Sequence, residues 1–163
     1  MNMVKTTTVN DFMTRKFETI QETDSVKQAA KKMKDKDISS LVVIDRYSNL
    51  IGLVTERDIV RKVFALEEEQ DVNINAIRVA DILSSPLVTI PSNSTPEQAA
   101  DVLLKNKIRH LLVVEKKNDI EKPAGIITPM DFTRYRDNTR DINQKQRNEE
   151  DDVIEKIMKY YRD

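Results

Sequence analysis

The chain has 163 residues, with 27 Lys and Arg against 28 Asp and Glu and a formal net charge of -1. That length supports one domain or two very small ones, and the nearly cancelling charge argues against a nucleic-acid surface or a strongly acidic partner. The absence of Cys removes disulfides, thiolate metal sites and cysteine nucleophiles together, and fits a reducing compartment.

In chain order, the opening "MNMVKTTTVNDF" lacks the apolar run of a secretory leader, and no later stretch is apolar for long enough to span a bilayer. A cytoplasmic protein with no membrane partner is the expectation. "FETI" (17–20), rich in apolar and β-branched residues, predicts a short strand. Ser25-Val-Lys-Gln28 is a capping box, and Val26, Ala29, Ala30 and Met33 behind it have helical spacing. "SLVVID" and "LIGLVT" then predict two strands joined by a polar loop, and a second helix starts at Thr55 and runs through "ERDIVRKVFA". The polar segment 66–77, "LEEEQDVNINAI", reads as a solvated linker.

The same order then recurs. "LVTI" (87–90) is a strand candidate, Thr95-Pro-Glu-Gln98 is a capping box with Pro96 suited to the first helical position, and Ala99, Ala100, Leu103 and Leu104 have helical spacing. The Ala pairs predict a first helix lying close to the sheet in both copies. "HLLVVE" and "PAGIIT" are the paired strands, and a helix follows from Thr128 through "PMDFTRYR". In the tail, 141–163, Val153, Ile154, Ile157, Met158 and Tyr161 make one apolar stripe, with acids toward the start and Lys159 and Arg162 near the end. It predicts an amphipathic helix that folds back on its own module or meets a partner.

Sliding residues 9–45 onto 79–115 superposes identical residues at Val9/Val79, Asp11/Asp81, Thr19/Thr89, Ile20/Ile90, Gln28/Gln98, Ala29/Ala99, Ala30/Ala100, Ile38/Ile108, Leu41/Leu111 and Val43/Val113. After a loop three residues longer in the second copy ("KKNDIEKPA" against "RYSNLI"), the match resumes at Gly52/Gly125, Thr55/Thr128, Asp58/Asp131 and Arg61/Arg134. The chain is an internal duplication. Its only two glycines each open a heptad of one design, "GLVTERD" and "GIITPMD".

Such a heptad has two physical readings. Thr-x-x-Asp is a helix N-cap, and a strand glycine permits close approach of something to the backbone. A helix start also draws phosphate, while a first-turn carboxylate can accept bonds from ribose hydroxyls.

The order of elements, the duplication, the repeated heptad and "IRHLLVV" before its second copy resemble a tandem pair of CBS (cystathionine β-synthase) domains, a Bateman module. The resemblance implies an α+β fold of two β-α-β-β-α repeats, 9–65 and 78–136, packed as one pseudo-twofold module, with the linker 66–77 and a C-terminal helix in 141–163. It further implies an adenosine-containing ligand, AMP, ADP or ATP foremost, bound in clefts between the repeats, and a homodimer reporting ligand state to a regulated protein of unknown identity. The tail helix is expected to add to the dimer interface.

By the family's cross-repeat arrangement, one cleft gathers Thr55, Arg57, Asp58, Leu87, Val88, Arg109 and His110, and the other gathers Phe17, Glu18, Ser39, Ser40, Thr128 and Asp131. The matching Asp contacts ribose in that family, and the matching Thr lies near the ligand. The first set is the more cationic, so the tighter and more phosphate-rich event is expected at Asp58. Taken alone, His110 reads as a polar residue entering a strand, and Leu87 and Val88 as an ordinary strand or an apolar wall for adenine.

No catalytic residues, metal or catalytic cofactor are expected: one His, no Cys and no suggestively spaced carboxylate pair speak against an enzyme. The alternatives are a ligand-free structural or protein-interaction module and a sensor of S-adenosylmethionine or NAD. Nucleic-acid binding is disfavoured by the balanced charge and scarce aromatic residues.

Overall fold

The computed structural model describes residues 6–64, 73–139 and 147–162. Helix α1 (Val9–Phe12) precedes β1 (Thr19–Gln21), α2 (Val26–Lys36), β2 (Ser40–Ile44), β3 (Leu50–Thr55) and α3 (Glu56–Lys62). The second round is α4 (Val79–Ile82), β4 (Thr89–Pro91), α5 (Pro96–Asn106), β5 (Leu111–Lys117), β6 (Ile120–Ile127) and α6 (Pro129–Thr139), followed by α7 (Arg147–Arg162). The chain is α+β, with the same three-stranded sheet built twice, in the orders β1-β2-β3 and β4-β5-β6. In each sheet the first pair is parallel and the second antiparallel. Among the described residues no helix is long and apolar enough to cross a membrane.

The local signals act as read. Ser25 Oγ accepts from Gln28 N at 3.2 Å while Gln28 Oε1 accepts from Ser25 N at 2.8 Å, and Thr95 and Gln98 exchange the same bonds at 3.2 and 2.9 Å. Those bonds satisfy first-turn donors that have no partner within the helix. At the other ends, Asp37 and Lys107 adopt the left-handed conformation at φ 53 and 54, so these helices stop without a glycine.

Three expectations are corrected. The strands foreseen at 17–20 and 87–90 begin at Thr19 and Thr89, leaving Phe17, Glu18, Leu87 and Val88 in extended chain before them. The "KKNDIEKPA" loop is mostly strand: β5 and β6 run on as a hairpin turning at Asn118 and Asp119, whose φ of 49 and 62 suits a two-residue turn. The Ala pairs differ, because Ala99 and Ala100 are both buried while Ala29 is buried and Ala30 exposed. Helix α7 packs on α5 and α6, so the copy that carries it covers more of its first helix. The described part of the tail helix is Arg147–Arg162; residues 141–146, and 66–72 of the linker, lie outside the described residues.

Two compact units result, one spanning Phe17–Val88 and the other uniting the N-terminal segment through Lys16 with the chain from Thr89 onward. Each short leading helix therefore sits with the sheet of the other repeat. In the second unit, Phe12 of α1 stacks edge-on against Phe132 with ring centroids 5.3 Å apart and lies 5.0 Å from Tyr135. In the first unit, Val79 and Ile82 of α4 join a core of Ile20, Val26, Met33, Leu41, Val43 and Val54.

This exchange explains the two glycines. The chain leaving α1 bridges β6 through Thr14 and Ile126, with Thr14 N donating to Ile126 O at 3.0 Å and Ile126 N to Thr14 O at 2.9 Å. The chain leaving α4 bridges β3 through Leu53 and Ser84. A Cβ on Gly125 would stand 2.8 Å from Thr14 O and 2.7 Å from Met13 Sδ, and one on Gly52 would stand 2.9 Å from Ser84 O and 2.6 Å from Leu83 Cδ1. Neither glycine has positive φ. What comes close to each glycine is the protein's own backbone.

Candidate functional site

The bridging segments deliver a hydroxyl to each heptad carboxylate. In the first unit, Thr55 ends β3 and caps α3: its Oγ1 accepts from Asp58 N at 3.1 Å, and Asp58 Oδ2 accepts from Thr55 N at 3.0 Å and Thr55 Oγ1 at 2.8 Å. The cap uses one carboxylate oxygen. The other, Oδ1, accepts from Ser84 Oγ at 3.1 Å and lies 3.0 Å from Lys62 Nζ. Lys62 also donates to the Ile82 carbonyl at 2.7 Å, tying α3 to the end of α4.

The second unit repeats the device with a different cation. Asp131 Oδ2 accepts from Thr128 N at 2.7 Å and Thr128 Oγ1 at 3.1 Å, and Oδ1 accepts from Thr14 Oγ1 at 2.8 Å. Arg134 donates to the same Oδ1 and, at 2.8 Å, to Thr14 Oγ1. Asp131 is fully buried, at 0% exposure, and Asp58 nearly so, at 9%. Both are buried charges that persist because hydroxyl, amide and cation partners surround them.

The remaining sequence candidates take their places within each unit. Ser40 is buried at the start of β2 and pairs in register with Thr55; Ser39 is exposed, and its carbonyl accepts from Glu56 N at 3.1 Å. Half-buried Glu18 lies 3.4 Å from Lys32 and 3.9 Å from Lys36, and its carbonyl accepts from Val42 N at 2.9 Å. The Glu18 carboxylate thus faces two lysines, while its backbone carbonyl extends the parallel pairing of β1 and β2. Phe17, Leu87 and Val88 are half-buried, and Arg57 is exposed on α3. In the second unit, exposed Arg109 and half-buried His110 immediately precede β5, one step beyond the Leu111–Ile127 pair and in line with Thr128.

Four residues at these carboxylates escaped the sequence reading: Thr14, Ser84, Lys62 and Arg134. A signal existed for three of them. Thr14 and Ser84 are hydroxyl residues at equivalent positions of the two copies, and Arg134 is one of the matched residues after the second glycine. Lys62 matches Tyr135, so no repeat comparison points to it.

A CBS-domain family model matches residues 9–65 and 79–138. An uncharacterised protein of Methanocaldococcus jannaschii is 34% identical over 141 residues, which is 82% of this chain and 32% of that protein's length. The crystal structure of an uncharacterised conserved protein from Pyrococcus horikoshii is similar at a TM-score of 0.69 and 26% identity, over 82% of this chain and 94% of that one. The CBS domain pair of protein MJ0100, solved in complex with 5′-methylthioadenosine and S-adenosyl-L-methionine, shares the fold at a TM-score of 0.69 and 23% identity, over 83% of this chain and 99% of that one. The matched residues contain both sheets and both heptads, and the chain belongs to the CBS-domain family, with two CBS domains in tandem.

Proposed function

We propose that this chain is a regulatory module that binds an adenosine-containing ligand, AMP, ADP or ATP, and reports its presence to a partner protein. The observation that carries the reading is the division of labour on each heptad carboxylate. One oxygen is committed to the helix cap, and the other already accepts a hydroxyl, from Ser84 at Asp58 and from Thr14 at Asp131. A ribose hydroxyl presents the same donor to the same oxygen. The proposed contact residues are Thr55, Arg57, Asp58, Leu87, Val88, Phe17, Glu18, Ser39 and Ser40 in the first unit, and Arg109, His110, Thr128 and Asp131 in the second.

The two sites are proposed to be unequal. At Asp131 an incoming hydroxyl must displace Thr14 or Arg134 from an oxygen with no exposure, whereas Asp58 retains 9%. Arg57, beside Asp58 on α3, and Arg109, before β5, are exposed cations suited to phosphate, while Met130 takes the place beside Asp131 that Arg57 takes beside Asp58. The tighter, more phosphate-rich event is therefore assigned to Asp58. Carboxylates already engaged by caps and cations support a binding role over catalysis.

The MJ0100 complex supports a second reading, S-adenosylmethionine, whose ribose would use the same carboxylates. A thermal-shift series with AMP, ADP, ATP, S-adenosylmethionine and NAD tests both, because a ligand that binds only the folded state raises the unfolding midpoint. A rise with none of the five overturns the proposal. A homodimer completes the reading, and light scattering on the chain, with and without residues 141–163, tests it: a monomeric mass for the full chain contradicts it, and an unchanged dimer after truncation removes the tail from the interface.

A further inference from the structure

We propose that Tyr161, on the tail helix α7, positions Arg109 for phosphate and so couples docking of the tail to nucleotide binding; this rests on the proposed role of Arg109 above. The helix is firmly seated on its own unit. Ile154 and Ile157 are buried at 2% and 0% exposure, and Thr133 Oγ1 meets Met158 Sδ at 3.4 Å. One turn further on, the Tyr161 hydroxyl donates to the Ile108 carbonyl and reaches the Leu103 carbonyl at 3.5 Å. Those carbonyls flank the end of α5, where the chain turns toward β5. The tail thereby fixes the backbone one residue before Arg109.

The ring of Tyr161 then holds the side chain, with Arg109 Cζ 5.4 Å from the ring centroid. Among the described residues Arg109 makes no hydrogen bond or ion pair, and it is exposed. A cation held over a ring face makes no hydrogen bond to it, so the N–H groups of the guanidinium remain available to an anion. An arginine held this way is pre-oriented for phosphate at a smaller loss of side-chain freedom on binding. In the first copy, Ser39 stands where Arg109 does, so this control would act on one site only. By reciprocity, if a docked tail favours phosphate, phosphate favours the docked tail by the same factor. The tail helix becomes an output element whose docking reports the phosphates of the ligand, separately from its ribose.

The test titrates ATP and adenosine onto the full chain and its Tyr161→Leu, Tyr161→Phe and Arg109→Ala variants, and follows hydrogen exchange in α7. Tyr161→Leu should weaken ATP by about two- to fivefold, the range of a cation–π contact, and leave adenosine unchanged. Tyr161→Phe keeps the ring but loses the bond to Ile108, so its ratio of the two affinities should fall between those of the wild type and Tyr161→Leu. ATP, and not adenosine, should slow exchange in α7. If Arg109→Ala lowers the ATP-to-adenosine ratio and Tyr161→Leu does not, or if Tyr161→Leu weakens both ligands equally, the coupling is overturned while the nucleotide site stands. If Arg109→Ala leaves the ratio unchanged, or the wild-type chain binds neither ligand, the phosphate role of Arg109 falls and the coupling with it.

Discussion

Replacing Gly125 with Ala tests the reason given for the glycines. The added methyl would lie 2.7 Å from Met13 Sδ, which can swing away, and 2.8 Å from Thr14 O, which cannot. The Thr14 carbonyl is held by Ile126 N at 2.9 Å, so relief requires the bridge between the α1 exit and β6 to open. Overpacking of this kind costs about 1–3 kcal/mol. Against it stands a gain of about 0.4–1 kcal/mol from the less flexible unfolded chain. The net loss of up to about 2.6 kcal/mol lowers the unfolding midpoint by up to roughly 10 °C for a chain of this size. Thermal unfolding followed by circular dichroism reads this directly. Because Thr14 also donates to Asp131 at 2.8 Å, a hydroxyl-directed perturbation should accompany the loss, visible as a shift of the Thr14 and Asp131 resonances. A midpoint above the wild-type value would refute the reasoning, since the unfolded-state gain would then outweigh any clash.

Ile157→Ala removes a fully buried side chain of α7 and should destabilise the second unit by about 2–5 kcal/mol, measured by urea unfolding. Thr95→Ala removes a hydroxyl that accepts from Gln98 N at 3.2 Å and should cost about 1 kcal/mol in the same assay. At the β2–β3 turn, the Asn49 side-chain amide, aided by backbone N–H groups of Asn49 and Tyr47, holds the Asp45 carboxyl below its ordinary value of 3.8. The folded value is depressed, so this stabilisation is complete above pH 3.8 and is lost as pH falls through the lower folded value. An NMR titration of Asp45 should show the depression, and Asn49→Ala should bring the value back toward 3.8.

Signals confined to one short stretch were legible in the sequence. Ser25 with Gln28, Thr95 with Gln98 and Thr55 with Asp58 each need only four consecutive residues to announce a helix start, and the duplication showed that the surrounding strands and helices come twice. Helices α1 and α4 were missed because four residues are too few to display a 3.6-residue period. Missing them hid the exchange of leading segments and, with it, the reason for Gly52 and Gly125: their neighbours, Ser84 and Thr14, lie far away in the chain. The same distance hid the hydroxyls at Asp58 and Asp131. Ala30 and Ala100 are identical in sequence and differ in burial because α7 has no counterpart in the first copy among the described residues. A repeat comparison assumes equal surroundings and cannot supply that difference.

Asp58 is proposed to bind the ribose of an adenine nucleotide through the oxygen its cap leaves over. Calorimetric titration of ATP onto the wild-type chain, Asp58→Asn and Asp131→Asn tests it most directly, because Asn can still accept from the Thr55 or Thr128 amide and so preserves the cap while removing the charge. Asp58→Asn should weaken the tighter event by on the order of tenfold or more, the equivalent of one charge-assisted bond. Asp131→Asn should leave that event in place. Unchanged ATP binding by Asp58→Asn, with the tight event lost in Asp131→Asn, would contradict it.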